Sequence, residues 1–488
     1  MIRVLGNAKR LCDGLTRRDV LRVGGASLMG AALARRAGAS ALPGFGRAKS
    51  CILLYLYGAP SQLETFDPKP DAPSEIRGDF GTIDSVLPGV RVGELLPRSS
   101  RVLDRMTIIR SMSHPYPLHG VAYALTGIPR IEVAHELNPR DPGHWPFLGS
   151  VVDHLDGLRD PVAPEVPRNM LLPFAFSSRR VGEVPRAGPY GGFLGPAADP
   201  IATNFHGRAT VKASKTLNDK VWEDLEPYRG IDPEGRFHLP GFDDRGAATV
   251  DGLDRRRSLL QQFDAARATW DREKGRVHDG RMDQAYALLN SAKLRQAFDL
   301  GQEPMSLRES YGMTLFGQAA LTARRLVEAG GRFISVFWDE YGLAGTGWDT
   351  HWDHFARMRD ELTPGLDAAL SGLVLDLEAR GLLDETLVLC LSEHGRTPKL
   401  TREKGGGRDH WSRCYSVALA GGGIGRGRVV GKSDKIAGEP VDRPVSPKDV
   451  LATAYHLLGI DPETVLIDRF QRPVGIVPGG VVVPELIG

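Results

Sequence analysis

The chain has 488 residues, with 62 Lys or Arg against 60 Asp or Glu, so its formal net charge at pH 7 is only +2. Residues 1–41 hold eight of the basic and two of the acidic residues, which leaves 54 basic against 58 acidic residues and a net charge of −4 in the remainder. This balance argues against a nucleic-acid partner. The four cysteines form no C-x-x-C pair, which argues against thiolate metal sites and a disulfide framework.

The beginning of the chain predicts a twin-arginine export signal. Residues 16–22 read TRRDVLR, an apolar run occupies 23–33, and small residues at 37–41 offer A-x-A cleavage sites. The run has eleven residues, whereas a membrane span needs about 20, so we expect no stable membrane span. We therefore expect 1–41 to be a signal peptide and the protein to be periplasmic or secreted. Residues 42–488 are expected to form one domain.

Apolar segments that alternate with helical patterns indicate the fold class. Strands are predicted at 51–57, 106–110, 170–176, 332–337, 386–391 and 415–420. Helices are predicted at 314–329, along the leucine stripe of 362–377, and from the cap at Ser446 to Gly459. This alternation predicts an α/β fold with a central, mainly parallel sheet covered by helices on both faces. Loop and helical insertions are expected around 178–300, and a long ordered loop at 60–100.

Polar clusters follow several strands of the predicted sheet. They come after the first, second, fourth and fifth strands, and their members are Glu64 and Asp67; Ser113, His114 and His119; Asp349 and His351; and Glu393, His394, Arg396, Arg408 and His410. The carboxyl ends of parallel strands share one edge of a sheet, so we expect these loops to meet there. Their oxygen and nitrogen donors suit either a divalent metal or acid and base groups around an anionic substrate.

Five of these residues are the predicted metal ligands: Asp349, His351, Glu393, His394 and His410. We expect their donor atoms within roughly 8 Å of a common point, because bonds to such metals are about 2.0–2.6 Å long. Arg396 and Arg408 lie beside these residues in the chain, so they are candidates for holding the oxygens of an anionic ester. The loop cations Lys399, Arg402 and Lys404 are more simply explained as solvated.

At this point the chain resembles a known family. The motifs that carry the resemblance span nearly all of residues 42–488 and include GAPSQLETFDPKP (58–70), YGMTLFGQAALTARRLVEAGGRFISV (311–336), GWDTHWDHF (347–355), SEHGRTPK (392–399) and GRDHW (407–411). They resemble the exported bacterial proteins labelled domain of unknown function 1501, within the sulfatase-like or alkaline-phosphatase-like superfamily. The resemblance implies an alkaline-phosphatase-like sandwich that hydrolyses sulfate or phosphate esters with a divalent metal such as zinc, calcium or manganese. It also implies an anionic ester or a sulfated polysaccharide as substrate.

The resemblance carries over to particular residues. Glu393 and His394 stand where enzymes of the superfamily carry their Asp-His metal pair. Asp349 and His351 resemble the second metal cluster, and His410 resembles the distal histidine.

The sequence also departs from the enzymes of that superfamily. They usually carry a metal-binding Asp at the end of the first strand, where this chain has Tyr57 and Gly58. Sulfatases carry Cys or Ser ten residues before the Gly of their Leu-Thr-Gly, and the corresponding residue here is Pro117. A formylglycine nucleophile is therefore not expected, and Ser113, His114 and His119 are the remaining catalytic candidates in that loop.

These departures leave three hypotheses open. The first is a metal-dependent hydrolase of sulfate or phosphate esters without formylglycine. The second is a catalytically inactive binding or accessory protein for sulfated glycans or a partner protein. The third is metal-dependent transfer or isomerisation on the same scaffold.

Overall fold

A computed structural model describes residues 42–128, 133–162, 164–181, 185–217, 220–240, 291–343 and 347–488. The predicted signal peptide, residues 1–41, lies outside the described residues, and so does 241–290, within the region of the predicted insertions. Among the described residues, no helix has the length and apolar character needed to cross a membrane.

One eight-stranded sheet forms the centre of the molecule. Its strands in chain order are β1 (Ser50–Leu56), β2 (Met106–Met112), β3 (Asn169–Leu172), β4 (Ile201–Ala202), β5 (Phe333–Trp338), β6 (Thr386–Leu391), β7 (Tyr415–Ala420) and β8 (Arg428–Val430). Their order across the sheet is β8-β2-β7-β6-β1-β5-β3-β4. All neighbours are parallel except that β7 runs antiparallel to both β6 and β2. The mainly parallel sheet is the one that the sequence predicts.

Helices cover both faces of this sheet. In the described part of the chain, those of six residues or more are α1 (Val121–Thr126), α2 (Leu148–Arg159), α3 (Ala292–Phe298), α4 (Met305–Ser310), α5 (Leu315–Glu328), α6 (Thr363–Ala379) and α7 (Pro447–Leu457). Side chains of β1 alternate between two cores: Ile52 and Leu54 pack with residues of α5 and α6, whereas Cys51 and Leu53 pack with residues of α1, α2 and α7. The predicted cap at Ser446 is a capping box with Asp449.

Short elements fill the connecting loops. Helical turns lie at Ser74–Arg77, Val133–Glu136, His354–Arg357 and Met358–Leu362, the last of them π-helical. Strand pairs outside the central sheet are Thr82–Asp84 with Arg91–Gly93, Arg180–Val181 with Gly342–Leu343, Asn204–His206 with Arg236–His238, Lys212–Leu217 with Lys220–Leu225, Gly395–Arg396 with His410–Trp411, Lys432–Ser433 with Pro440–Asp442, and Val465–Ile467 with Pro473–Gly475. The strand predicted at 170–176 ends at Leu172 because Pro173 cannot donate a hydrogen bond to the ladder.

The sheet brings four loops to one edge. Strands β1, β2, β5 and β6 all end there, because they point in the same direction. His410 lies in the connection from β6 to β7, which begins and ends at this edge because β7 runs antiparallel to β6. All the predicted polar clusters consequently lie at or near this edge.

Candidate metal centre

Three histidines from two loops form the inner part of the site. His119, His394 and His410 each offer a ring nitrogen, and these nitrogens lie within 4.8 Å of one another. The ring centroid of His410 is 4.2 Å from that of His119 and 4.6 Å from that of His394. We call these three residues the inner set.

His394 contributes a ring nitrogen with no hydrogen-bond partner. The ring is fully buried, and its Nδ1 lies 2.8 Å from the carbonyl oxygen of Gly395. A carbonyl oxygen can only accept, so Nδ1 carries the proton and Nε2 carries the lone pair. Within the described part of the chain, no group hydrogen-bonds to this Nε2. A buried lone pair with a fixed tautomer is the form in which histidine binds a metal.

A second group of donors lies on the open side of the inner set. Asp349, His351 and His410 have ligand atoms within 4.8 Å of one another, and we call them the outer set. Asp349 Oδ1 lies 3.0 Å from His351 Nε2 and 3.2 Å from His410 Nε2. The outer ring nitrogen of His351, Nδ1, lies 2.9 Å from Asp409 Oδ1. His351 and His410 are half-buried, so this side of the site faces solvent.

His119 connects two carboxylates. Its Nδ1 lies 3.0 Å from Glu393 Oε1, and its Nε2 lies 3.2 Å from Asp349 Oδ2. Burial by itself lowers the pKa of His119, but Asp349 and Glu393 outweigh it and raise that pKa to about 9. Glu393 Oε1 also accepts the backbone N–H of Gly58 at 2.7 Å, whereas Glu393 Oε2 is buried without a hydrogen bond to any described residue.

Arg396 places a permanent positive charge beside these carboxylates. Its guanidinium is fully buried, and Nη2 lies 2.5 Å from Asp349 Oδ1. The guanidinium also donates to the carbonyl oxygens of Gly58, Ala59 and Arg408. Burial would raise the pKa of Asp349, but Arg396 and then His119 hold it well below its usual range. Asp349 is therefore ionised in this arrangement.

The other ring nitrogens respond to burial and to this charge. Burial, followed by neighbouring His410 and His119, holds the pKa of His394 well below its usual range. Burial also lowers the pKa of His410. The hydrogen bond to Asp349 raises the pKa of the more exposed His351. The inner set thus favours neutral imidazoles at His394 and His410, which is the protonation state of a ligand.

Gly58 determines how closely two of the loops approach. Its φ is +99°, and a Cβ at this position would collide with the backbone nitrogen of Asp349. A side chain therefore does not fit at the end of the first strand while the 347–355 loop has this position. The departure at Gly58 that the sequence reveals is thus built into the packing of the site.

Comparison with known proteins identifies the family. The model of a family described as protein of unknown function (DUF1501) matches residues 48–487. The chain belongs to the DUF1501 family. A search among curated proteins finds no match to it.

Several solved structures are distantly similar to this DUF1501 chain. They include Ps i-CgsB in complex with k-i-k-neocarrahexaose (TM-score 0.37, 11% identity, covering 88% of this chain and 76% of that one). The PsFucS1 sulfatase from Pseudoalteromonas sp. has a TM-score of 0.36 at 12% identity, covering 85% and 68%. The phosphonate monoester hydrolase SpPMH from Silicibacter pomeroyi has a TM-score of 0.35 at 11% identity, covering 90% and 76%. Similarities this distant carry no inference about activity.

Most of the predicted ligands of the DUF1501 chain meet at the sheet edge, but their partners differ from the prediction. His394 and His410 belong to the inner set and Asp349 and His351 to the outer set, while Glu393 binds His119 and Gly58. His119, predicted as a catalytic residue, offers a third imidazole to the inner set.

Three other predicted residues have different surroundings. His114 is buried, with Nε2 2.7 Å from the backbone oxygen of Glu393, so it supports the loop from behind. Ser113 is partly exposed; its backbone N–H donates to Val445, and its hydroxyl makes no hydrogen bond to any described residue of the cluster. The guanidinium of Arg408 binds Glu64 Oε1 at 2.5 Å and is fully buried, which is no position for contacting a substrate.

The sequence did not predict the roles of two residues near the site. Asp409 binds His351, and its place next to His410 in the chain was the only signal. Glu64 was noted as a carboxylate after the first strand, but nothing in the sequence indicated that it pairs with Arg408, 344 residues away.

Proposed function

We propose that this protein is a metal-dependent hydrolase of sulfate or phosphate esters that works without a formylglycine. The observation that carries the proposal is the buried Nε2 of His394, which has no hydrogen-bond partner among the described residues and lies within 4.8 Å of ligand nitrogens of His119 and His410. A buried polar atom without a partner costs about 1–3 kcal/mol, so its retention is best explained by a ligand that it binds.

The inner set has the composition of a zinc site. Three imidazoles with an open fourth position are a known catalytic zinc arrangement, whereas calcium takes six to eight oxygens. We therefore favour zinc, with manganese as the next choice. His119 must give up one of its two ring protons to act as a ligand, so binding should release a proton. A divalent ion held here would supply Lewis acidity toward an anionic ester and toward water.

The protein's own groups would orient the ester. The half-buried His351 and the exposed Asp409 lie on the open side, so the ester would enter past them. Arg396 keeps a positive charge inside the site, which favours an anionic group there. No cysteine lies in the loop after β2, and the Ser113 hydroxyl makes no hydrogen bond to the described cluster. We therefore propose that water, and not a side chain, attacks the ester.

An ester screen tests this proposal. The full chain would be stripped with a chelator, reloaded with zinc, manganese or calcium, and assayed on aryl sulfates, phosphates and phosphonates. We expect hydrolysis that depends on the metal, that His394→Ala abolishes and that His206→Ala leaves intact, because His206 is an exposed residue of a short strand outside the central sheet. Failure of every ester with every metal would refute the proposal.

Gly58 favours a second candidate function. The chain has no room for the metal-binding Asp that superfamily enzymes usually carry there, so the site could bind an anionic group without hydrolysing it. The protein would then be a binding or accessory protein for sulfated glycans or a partner chain. Calorimetry with a sulfated oligosaccharide, showing binding without hydrolysis over days, would favour this alternative.

Export is proposed on sequence grounds. The residues 16–22 and the apolar run at 23–33 support a twin-arginine route to the periplasm or beyond. Replacing Arg17 and Arg18 by Lys should retain the protein in the cytoplasm. Export of that variant at the wild-type rate would contradict the proposal.

A further inference from the structure

We infer that Arg396 restricts this site to a single divalent ion, which the inner set binds. The inference rests on the proposed function, and it concerns how many ions bind and where. Two ligand sets exist side by side, so a second ion would need the outer set: Asp349, His351 and His410.

The inner and outer sets share one ligand residue, His410. His410 Nδ1 lies 3.2 Å from the carbonyl oxygen of Pro117, which fixes the proton on Nδ1 and leaves Nε2 as the ligand nitrogen. That nitrogen has one lone pair. An ion bound by His119, His394 and His410 therefore leaves the outer set with only Asp349 and His351, so a second ion would depend on the carboxylate of Asp349.

A cationic side chain, Arg396, already binds the carboxylate of the outer set. Arg396 Nη2 lies 2.5 Å from Asp349 Oδ1, the same oxygen that faces His351 and His410. The guanidinium is held there by the carbonyl oxygens of Gly58, Ala59 and Arg408, so it cannot move away without breaking buried hydrogen bonds. A divalent ion at Oδ1 would lie against this fixed positive charge.

The inner set also contains a nitrogen that is ready to bind. No described residue hydrogen-bonds to His394 Nε2, whereas both ring nitrogens of His351 already face carboxylates at 2.9 and 3.0 Å. An ion at the inner set would replace carboxylate contacts of His119 and His410, but it would also bind the buried lone pair of His394. An ion at the outer set would replace existing contacts of all three of its ligands and leave that lone pair unbound. Arg396 thus takes the place that a second ion would need.

The number of bound ions tests the inference in the wild-type protein. The chelator-treated full chain would be dialysed against Mn²⁺ or Zn²⁺, with the ions counted by mass spectrometry. We expect one ion per chain at saturation and a six-line Mn²⁺ paramagnetic resonance spectrum. Two ions per chain, or a spin-coupled spectrum from two neighbouring Mn²⁺ ions, would overturn the inference.

Variants locate the ion and test the role of the arginine. His351→Ala should retain one ion, and His394→Ala should lose it; the reverse result would overturn the inference. Arg396→Gln should bind a second ion, whereas Arg396→Lys, which keeps the charge, should bind one. If Arg396→Gln does not fold, the wild-type spectrum and the ion counts of the two histidine variants still test whether one ion binds and where. One bound ion without ester hydrolysis would refute only the proposed function.

Discussion

Breaking the buried ion pair between Glu64 and Arg408 should strongly destabilise the protein, and Arg408→Ala tests this. Both side chains are at most 1% exposed, and Arg408 Nε and Nη2 donate to Glu64 Oε1 at 3.0 and 2.5 Å. Arg408 also donates to the carbonyl oxygens of Thr397 and Ile76 at 3.1 and 2.8 Å. The pair therefore connects the loop after β1 with the loop that carries His410.

Removing one partner of a buried ion pair leaves the other charge without compensation, which costs about 3–5 kcal/mol. We expect Arg408→Ala to lower the free energy of unfolding by that amount. Glu64→Gln, which keeps the side-chain shape, should lower it by an amount in the same range. Urea unfolding followed by circular dichroism measures it. The matched control is Arg402→Ala, an exposed cation of the same loop, which should change stability by at most about 0.5 kcal/mol.

If the free energy of unfolding of Arg408→Ala lies within about 1 kcal/mol of that of the control variant, breaking the ion pair does not have the expected cost. If that variant is stable and binds a sulfated ligand more weakly, Arg408 would be a substrate contact, as the sequence alone suggested.

Three further results are expected. Gly58→Ala should destabilise the protein and weaken zinc binding, because the added Cβ would collide with the backbone of Asp349. Gly89 also has a positive φ but has open space around it, so Gly89→Ala controls for backbone strain. Equal losses of stability in the two variants would contradict the predicted collision. Burial raises the pKa of Glu64, but Arg408 and then His354 outweigh it and lower that pKa to about 2. The folded pKa lies below the unfolded one, so the stabilisation is present above about pH 4.5 and disappears toward pH 2; acid titrations of wild type and Glu64→Gln that run parallel would contradict this. Ser113→Ala should leave the rate of ester hydrolysis unchanged. If the variant loses the hydrolytic activity, Ser113 is the nucleophile.

The sheet and the edge that carries the site could be predicted because their signals are local. The apolar runs of β1, β2, β5, β6 and β7 are short and bounded, and α5, α6 and α7 have clear apolar stripes or caps. The short edge strands β4 and β8 were missed, since two or three residues give too little periodicity.

Side-chain partners at the site were harder to predict, because they depend on contacts between distant loops. The charge of Arg408 suggested an anion site, but the anion is Glu64 of the same chain, which only the tertiary packing reveals. His410 was expected to reach the edge by following a strand; it lies in the long connection after β6, and the antiparallel β7 keeps the end of that connection at the same edge. The lone pair lies on His394 Nε2 because Nδ1 donates its proton to the carbonyl oxygen of Gly395, a contact that the sequence does not reveal.

Anomalous diffraction from crystals of the zinc-loaded protein would test the central claim most directly. The account predicts one zinc peak about 2.0–2.1 Å from His394 Nε2, within bonding distance of His119 and His410. The absence of a zinc peak at His394 Nε2 in crystals saturated with zinc would contradict it.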